Sequence, residues 1–221
     1  MNARFTMRFR DREEAGQLLG RELARHFTKR DDLLVLALPR GGVPVGYGVA
    51  RSLDAPLDVF IVRKLGVPGH EELAMGAIAS GGVRVLNRDV LDSMPLSQTM
   101  IDAVAAREQQ ELERRESEYR GARPQIDVKD KTVVVVDDGL ATGSTMRAAV
   151  AALRRMEPRR IVVAVPVAAE STCREFRAEG IADEVVCLRT PEPFQAVGLW
   201  YSDFTQTSDD EVHELLGRGQ H

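Results

Sequence analysis

Val133 to Thr145 reads VVVVDDGLATGST: four valines, two adjacent carboxylates, then small and hydroxylated residues. An unbroken apolar run marks a strand buried on both faces, so Asp137 and Asp138 arrive at its carboxyl end. Two like charges there are unfavourable unless cations or hydroxyl donors compensate them. The vicinal hydroxyls of a ribose, together with Mg²⁺, would do so. The small residues that follow let the backbone curl, turning N–H groups onto an anion at the start of the next helix. Thr142, Ser144 and Thr145 add hydroxyl donors. A diol site and a phosphate site one ribose apart describe a ribose 5-phosphate. A plain strand-to-helix turn with an aspartate cap explains neither the doubled acid nor the run of small residues. No Gly-Lys-Ser/Thr forms a Walker A loop, and no GxGxxG opens a helix after a strand.

The segment resembles the signature of the type I phosphoribosyltransferases, two acidic residues followed by a loop ending in Thr-Gly-x-Thr. The resemblance implies that Asp137 and Asp138 hold the ribose hydroxyls of phosphoribosyl pyrophosphate (PRPP), with Mg²⁺ on the pair directly or through water. It implies that Ala141, Thr142, Gly143, Ser144 and Thr145 hold the 5-phosphate. Pro39-Arg40-Gly41-Gly42 follows the first buried strand, where the family keeps its pyrophosphate loop. Gly41 and Gly42 permit close approach to phosphate oxygens, and Arg40 offers a guanidinium fork. Arg63-Lys64 is similar to an Arg-Lys pair that adenine-type members keep near the leaving pyrophosphate. His70, Glu71 and Glu72 fall where the family has a mobile hood, with His70 expected as a solvated loop residue rather than an acid.

The late stretch PFQAVGLWYSDF, Pro193 to Phe204, resembles the base-binding segment of 6-oxopurine phosphoribosyltransferases. There Phe194 and Trp200 would stack on a base, Val197 would read its edge through the backbone, and Asp203 takes the place of the family's aspartate. One departure concerns Ala141, which stands where 6-oxopurine enzymes carry an aspartate as general base. Adenine- and uracil-type enzymes lack it too, so the identity of the base stays open, with a purine favoured. PRGG, VRKLG and an inserted helix also resemble a less characterised bacterial phosphoribosyltransferase group. The implied reaction is displacement at C1 of PRPP, with Asp137, Asp138, Lys64 and Arg40 as the catalytic set and Mg²⁺ as cofactor.

These residues need a frame, and the apolar pattern predicts one. Asp11 opens a helix with Glu14 three residues on, and Ala15, Leu18, Leu19, Leu23 and Phe27 form its stripe. Leu33 to Leu38 is a first buried strand, 43–53 a helix and Leu57 to Val62 a second strand. Residues 63–76, RKLGVPGHEELAMG, are expected as a mobile loop. AMGAIA and VRVLN around Ser80-Gly81-Gly82 predict a hairpin. Ser97 to Arg120 is a charged helix with a thin stripe of Ile101, Val104, Ala105, Leu112 and Tyr119. Arg107, Glu108, Glu111, Arg114 and Arg115 are expected on its solvated face. TVVVVDD, RIVVAVPVA and EVVCL are strands, separated by helices at 144–156 and 171–179. The expected fold is α/β, a doubly wound, mostly parallel sheet with helices on both faces and ligands at the strands' carboxyl ends. One domain over 1–221 is expected, with a largely helical insert at 84–127 and a substrate-side segment at 188–221.

With 30 Lys and Arg against 34 Asp and Glu, the formal charge is −4. That excludes bulk attraction to nucleic acid or an anionic membrane. Cys173 and Cys187 lack CxxC spacing and a histidine cluster, so neither a disulfide framework nor a zinc site is expected, and a cytoplasmic location is. No signal or transit peptide is expected, because Asp11 follows the arginines of the N-terminus without an apolar run. The expected partners are PRPP, a nucleobase-like acceptor and a second copy in a homodimer, without nucleic acid or membrane. Two rival readings are a PRPP- or nucleotide-sensing regulator on the same fold and a hydrolase or phosphorylase of ribosyl phosphates. Arg40 and Lys64 argue against the first.

Overall fold

The structure, a computed structural model, describes residues 8–27, 32–121, 123–124 and 127–219. Helix α1 (Arg12–Leu23) starts at Asp11, whose side chain accepts from the Glu14 amide at 2.8 Å. Strand β1 (Leu33–Ala37) is buried throughout, and helix α2 (Gly42–Leu53) follows. After β2 (Leu57–Val59), the chain leaves this sheet rather than running on to Val62. Later come β6 (Thr132–Val136), α5 (Ser144–Arg154), β7 (Arg160–Val167), α6 (Glu170–Ala178), β8 (Glu184–Arg189) and α7 (Asp209–Arg218). β2, β1, β6, β7 and β8 lie side by side in that order, and every pair is parallel.

Alternate strand residues feed two apolar layers, as the period of two dictates. Val35, Ala37, Val134, Val136, Val162 and Ala164 face α1, α2 and α7. Leu34, Leu36, Val133, Val135, Ile161 and Val163 face α5 and α6. Full burial of each such side chain contributes about 1.5–3 kcal/mol, which fixes the register and so the level at which each strand ends.

Between β2 and β6 the chain builds a second unit. β3 (Val62–Val67), β4 (His70–Ala79) and β5 (Val83–Leu86) form an antiparallel sheet, followed by α3 (Arg88–Ser93) and α4 (Gln98–Arg120). Residues 63–76 are therefore not a free loop. Glycines and charges suit a sheet with one exposed face, and only Pro68-Gly69 makes the turn. The hairpin about Ser80-Gly81-Gly82 is as expected. α4 is anchored where Arg120, itself buried, pairs with Asp58 at 3.0 Å and donates to the Val59 carbonyl at 3.1 Å.

Two further expectations fail. Glu108 is buried rather than solvated, because Arg63 reaches it from β3. Cys173 of α6 and Cys187 of β8 are joined by a disulfide, which α6 packing on β8 makes possible. Cysteine spacing alone could not show that contact. Among the described residues, no helix is long and apolar enough to cross a membrane.

Candidate functional site

Parallel pairing of Ala37 with Val136 makes β1 and β6 end at one level. The turn 39–42, with a cis peptide between Pro39 and Arg40, therefore emerges beside Asp137 and Asp138. A Cβ built at Gly41 would overlap Asp138 Oδ2, and would lie 2.8 Å from its Cγ and 3.3 Å from Arg12 Nε. At Gly42 it would meet the Val136 carbonyl at 2.8 Å and Asp137 Cα at 3.1 Å. Glycine at both positions is a condition of this close approach.

The two acids differ in their surroundings. Asp137 Oδ1 accepts the Asp138 amide at 2.8 Å. Burial, and then the neighbouring Asp138 charge, push the Asp137 carboxyl well above the usual carboxylate range. Burial raises Asp138 as well, against the opposing charge and hydrogen bond of Arg12. Arg12 Nε donates to Asp138 Oδ2 at 2.9 Å. Tyr201 Oη donates to the Asp138 carbonyl at 2.5 Å, and burial first, then Asp138, pushes that phenol upward so that it stays a donor.

The loop beyond is held against β7 and α6. Leu140 receives and returns backbone hydrogen bonds, from its amide to the Val167 carbonyl at 2.9 Å and from the Ala169 amide at 3.0 Å. Thr172 Oγ1 donates to the Ala141 carbonyl at 2.6 Å. Gly143 caps α5 at φ 72°, and a Cβ there would lie 2.5 Å from the Phe176 ring, so no other residue fits without rearrangement. No side chain caps α5 among the described residues. Its first amides, with the exposed Thr142, Ser144 and Thr145, thus form a donor cluster at a helix N-terminus. Lys64 joins it across the hairpin, its Nζ donating to Ser144 Oγ at 2.8 Å.

Not all candidates converge. Arg63 and Lys64 are adjacent in β3 and so point to opposite faces. Arg63 turns to α4, donating to Glu108 at 2.9 and 2.7 Å, away from Lys64 and the α5 N-terminus. Arg40 lies 3.5 Å from Asp209 Oδ2, in a polar cleft shared with Arg114, Arg115, Glu118 and Tyr119. Tyr119 Oη donates to Asp209 at 2.7 Å, and burial and that hydrogen bond push its phenol up to about 12.

In the late segment, Val197 reaches the carboxylate loop, where a Cβ at Gly139 would lie 2.5 Å from Val197 Cγ1. Phe194 and Trp200 pack partly into the cluster of Phe9, Ala15, Val167 and Tyr201. The buried indole N–H of Trp200 has no partner among the described residues. Asp203 closes a local turn, accepting from Thr205 N at 2.9 Å and Thr205 Oγ1 at 2.7 Å. Those two hydrogen bonds hold its carboxyl below the usual range.

Arg12 and Tyr201 are the contributors that sequence reasoning missed. A signal for Arg12 was present: a cation stands in a first helical turn beside Asp11, Glu13 and Glu14, where the helix dipole disfavours positive charge. Such a placement calls for an acid elsewhere in the fold.

Comparison with known proteins gives a consistent picture. The phosphoribosyl transferase domain family matches residues 12–194. Two Mycobacterium tuberculosis proteins provisionally named as phosphoribosyl transferases, MT0597 and Rv0571c, are each 49% identical over 210 residues, 95% of this chain and 46% of theirs. The chain thus spans about half the length of these relatives. The crystal structure of TT1426 from Thermus thermophilus superposes with a TM-score of 0.86 at 43% identity, over 97% of this chain and 100% of that one. AQ2163 from Aquifex aeolicus shares the fold at TM-score 0.51 and 13% identity, over 95% of this chain and 86% of that one.

Proposed function

The chain belongs to the phosphoribosyltransferase family, and from that premise we propose that it transfers the 5-phosphoribosyl group of PRPP to a nitrogenous base. The observation that carries this reading is the meeting of the 39–42 turn, the Asp137–Asp138 pair and the α5 N-terminus along one sheet edge. In it, the ribose hydroxyls lie on Asp137 and Asp138. The 5-phosphate lies on the amides and hydroxyls of residues 141–145, with Lys64 beside it. The turn at Gly41 and Gly42 lets pyrophosphate approach the backbone, with Arg40 at its rim.

Mg²⁺ fits this donor set. Two half-buried adjacent acids, of which only Asp138 is paired with a cation, favour a second cation, and no cluster of three or more acidic, His or Cys ligands exists among the described residues. Mg²⁺ commonly takes only one or two carboxylates, completing its shell with substrate oxygens and water. Held by Asp137 and Asp138, it would neutralise developing charge on pyrophosphate. In the reaction the C1–O bond to pyrophosphate breaks as a C1–N bond forms. The chain's own residues orient the sugar and hold the leaving anion, while the β3–β4 hairpin over α5 excludes water.

Ala141 offers no carboxylate to deprotonate a 6-oxopurine, so hypoxanthine and guanine should be poor acceptors. The deciding experiment is ³¹P NMR of pyrophosphate release over a panel of nucleobases. Base-dependent release supports the transferase, and ribose phosphate released without a base indicates a hydrolase. PRPP binding without turnover of any base would overturn the transferase reading in favour of a sensor.

A further inference from the structure

Arg12 makes commitments in three directions. Its Nε donates to Asp138 Oδ2 at 2.9 Å, and another guanidinium nitrogen donates to the Thr205 carbonyl at 2.7 Å. Its guanidinium carbon stands 3.9 Å from the centre of the Phe204 ring and 6.0 Å from that of Tyr201. The side chain is only 11% exposed. A planar fork can donate in two directions while stacking on a ring, which a lysine ammonium cannot.

What Arg12 grips is itself a small assembly. The Phe9 amide donates to the Trp200 carbonyl at 2.9 Å, the Ser202 amide to Phe9 at 2.8 Å, and the Asp203 amide to Arg10 at 2.8 Å. Residues 9–10 and 200–203 therefore form a short strap, and Tyr201 pins it to the Asp138 carbonyl. Asp138 Oδ2 is taken by Arg12, which fixes the direction in which the carboxylate faces.

We infer that Arg12 is a positioning residue: it fixes the rotamer of Asp138 and fastens the 200–205 segment across the sugar site. The inference rests on the reading of Asp138 as a ribose-binding group. It makes the site a joint product of α1, the β6 loop and the chain's late segment, where the sequence motif alone credits only the loop.

Calorimetry with Mg–PRPP and amide hydrogen exchange test it. Arg12→Met should weaken binding about tenfold, the effect of losing one charge-assisted hydrogen bond, and Arg12→Lys should regain part of it. Because Arg12 works through Asp138, Arg12→Met combined with Asp138→Asn should bind no more weakly than Asp138→Asn alone. The Ser202 and Asp203 amides should exchange faster in Arg12→Met. Unchanged affinity in that variant, or additive losses in the double variant, would overturn the proposal. Where Arg12→Met does not fold, Arg12→Lys carries the same cycle with smaller losses. If the wild type does not bind PRPP, the functional reading fails on its own. Exchange at Ser202 and Asp203 in the ligand-free protein then decides the strap, and unchanged rates would refute it.

Discussion

Replacing Gly41 by alanine asks whether the 39–42 turn and Asp138 are true neighbours, because the answer changes the sign of the effect. Gly41 has φ −58° and ψ −31°, angles that alanine adopts freely. On backbone grounds alone, the substitution should stabilise the protein by about 0.4–1 kcal/mol. In this structure the new methyl overlaps Asp138 Oδ2 and comes within 2.8 Å of Cγ. An ordinary contact needs about 3.5 Å, so the carboxylate must withdraw by roughly 1 Å. Arg12 holds that oxygen at 2.9 Å, and the withdrawal gives up a charge-assisted hydrogen bond of about 1.5–3 kcal/mol. The net expectation is a destabilisation of about 1–2 kcal/mol. For a chain of this size that lowers Tm by about 3–6 °C. Thermal unfolding followed by circular dichroism reads it. Gly217→Ala is the control: it lies in α7 with open space around it, and should gain up to about 1 kcal/mol. An unchanged or raised Tm in Gly41→Ala would refute the juxtaposition on which the site rests.

Three other outcomes are expected. Asp137 has its pKa raised by burial, so its stabilising contribution is present below the unfolded value near about pH 4 and is lost as pH rises through the folded value. Asp137→Asn should therefore raise the urea midpoint of the ligand-free protein at neutral pH more than at pH 4, while Mg–PRPP binds about tenfold more weakly by calorimetry. Lys64 stands beside the loop read as the 5-phosphate cradle, which PRPP and a nucleoside monophosphate both fill, so Lys64→Ala should weaken binding of both ligands by about tenfold in calorimetry. Reducing the Cys173–Cys187 disulfide opens a loop of about 15 residues, so dithiothreitol should cost on the order of 3 kcal/mol, visible as a lower Tm.

Much of the frame was legible because its strands are buried on both faces. Leu33 to Leu38 and Val133 to Val136 spell continuous apolar runs, and the helix after each starts where glycine or hydroxyl residues interrupt them. β3 and β4 were not legible. Their sheet exposes one face, and KLG and HEEL owe their strand conformation to pairing with each other rather than to apolar content. The site's backbone was legible for a similar reason, since a small residue next to an acid is a local signal. Its side-chain partners were not. Arg12 lies 126 residues from Asp138, and Glu108 lies 45 from Arg63, so only tertiary packing decides either pair. Strand alternation did hold one unused clue: adjacent Arg63 and Lys64 could not both face the same anion.

The pairing of Leu33 with Thr132 carries a consequence for biosynthesis. As the chain leaves the ribosome, β1 can pair with β2 almost at once, but its other edge waits for β6, about a hundred residues later. At roughly 5–20 residues per second, that leaves the apolar edge of LLVLA bare for about 5–20 s. An uncovered apolar strand edge is a template for joining another chain. The nascent protein thus passes through a sticky interval in which the carboxylate-bearing strand covers β1 and then waits for β7 in its turn. Arrest within the insert at 84–127 should make ribosome-bound chains crowd one another, whereas release after residue 189, with β6, β7 and β8 all in place, should not.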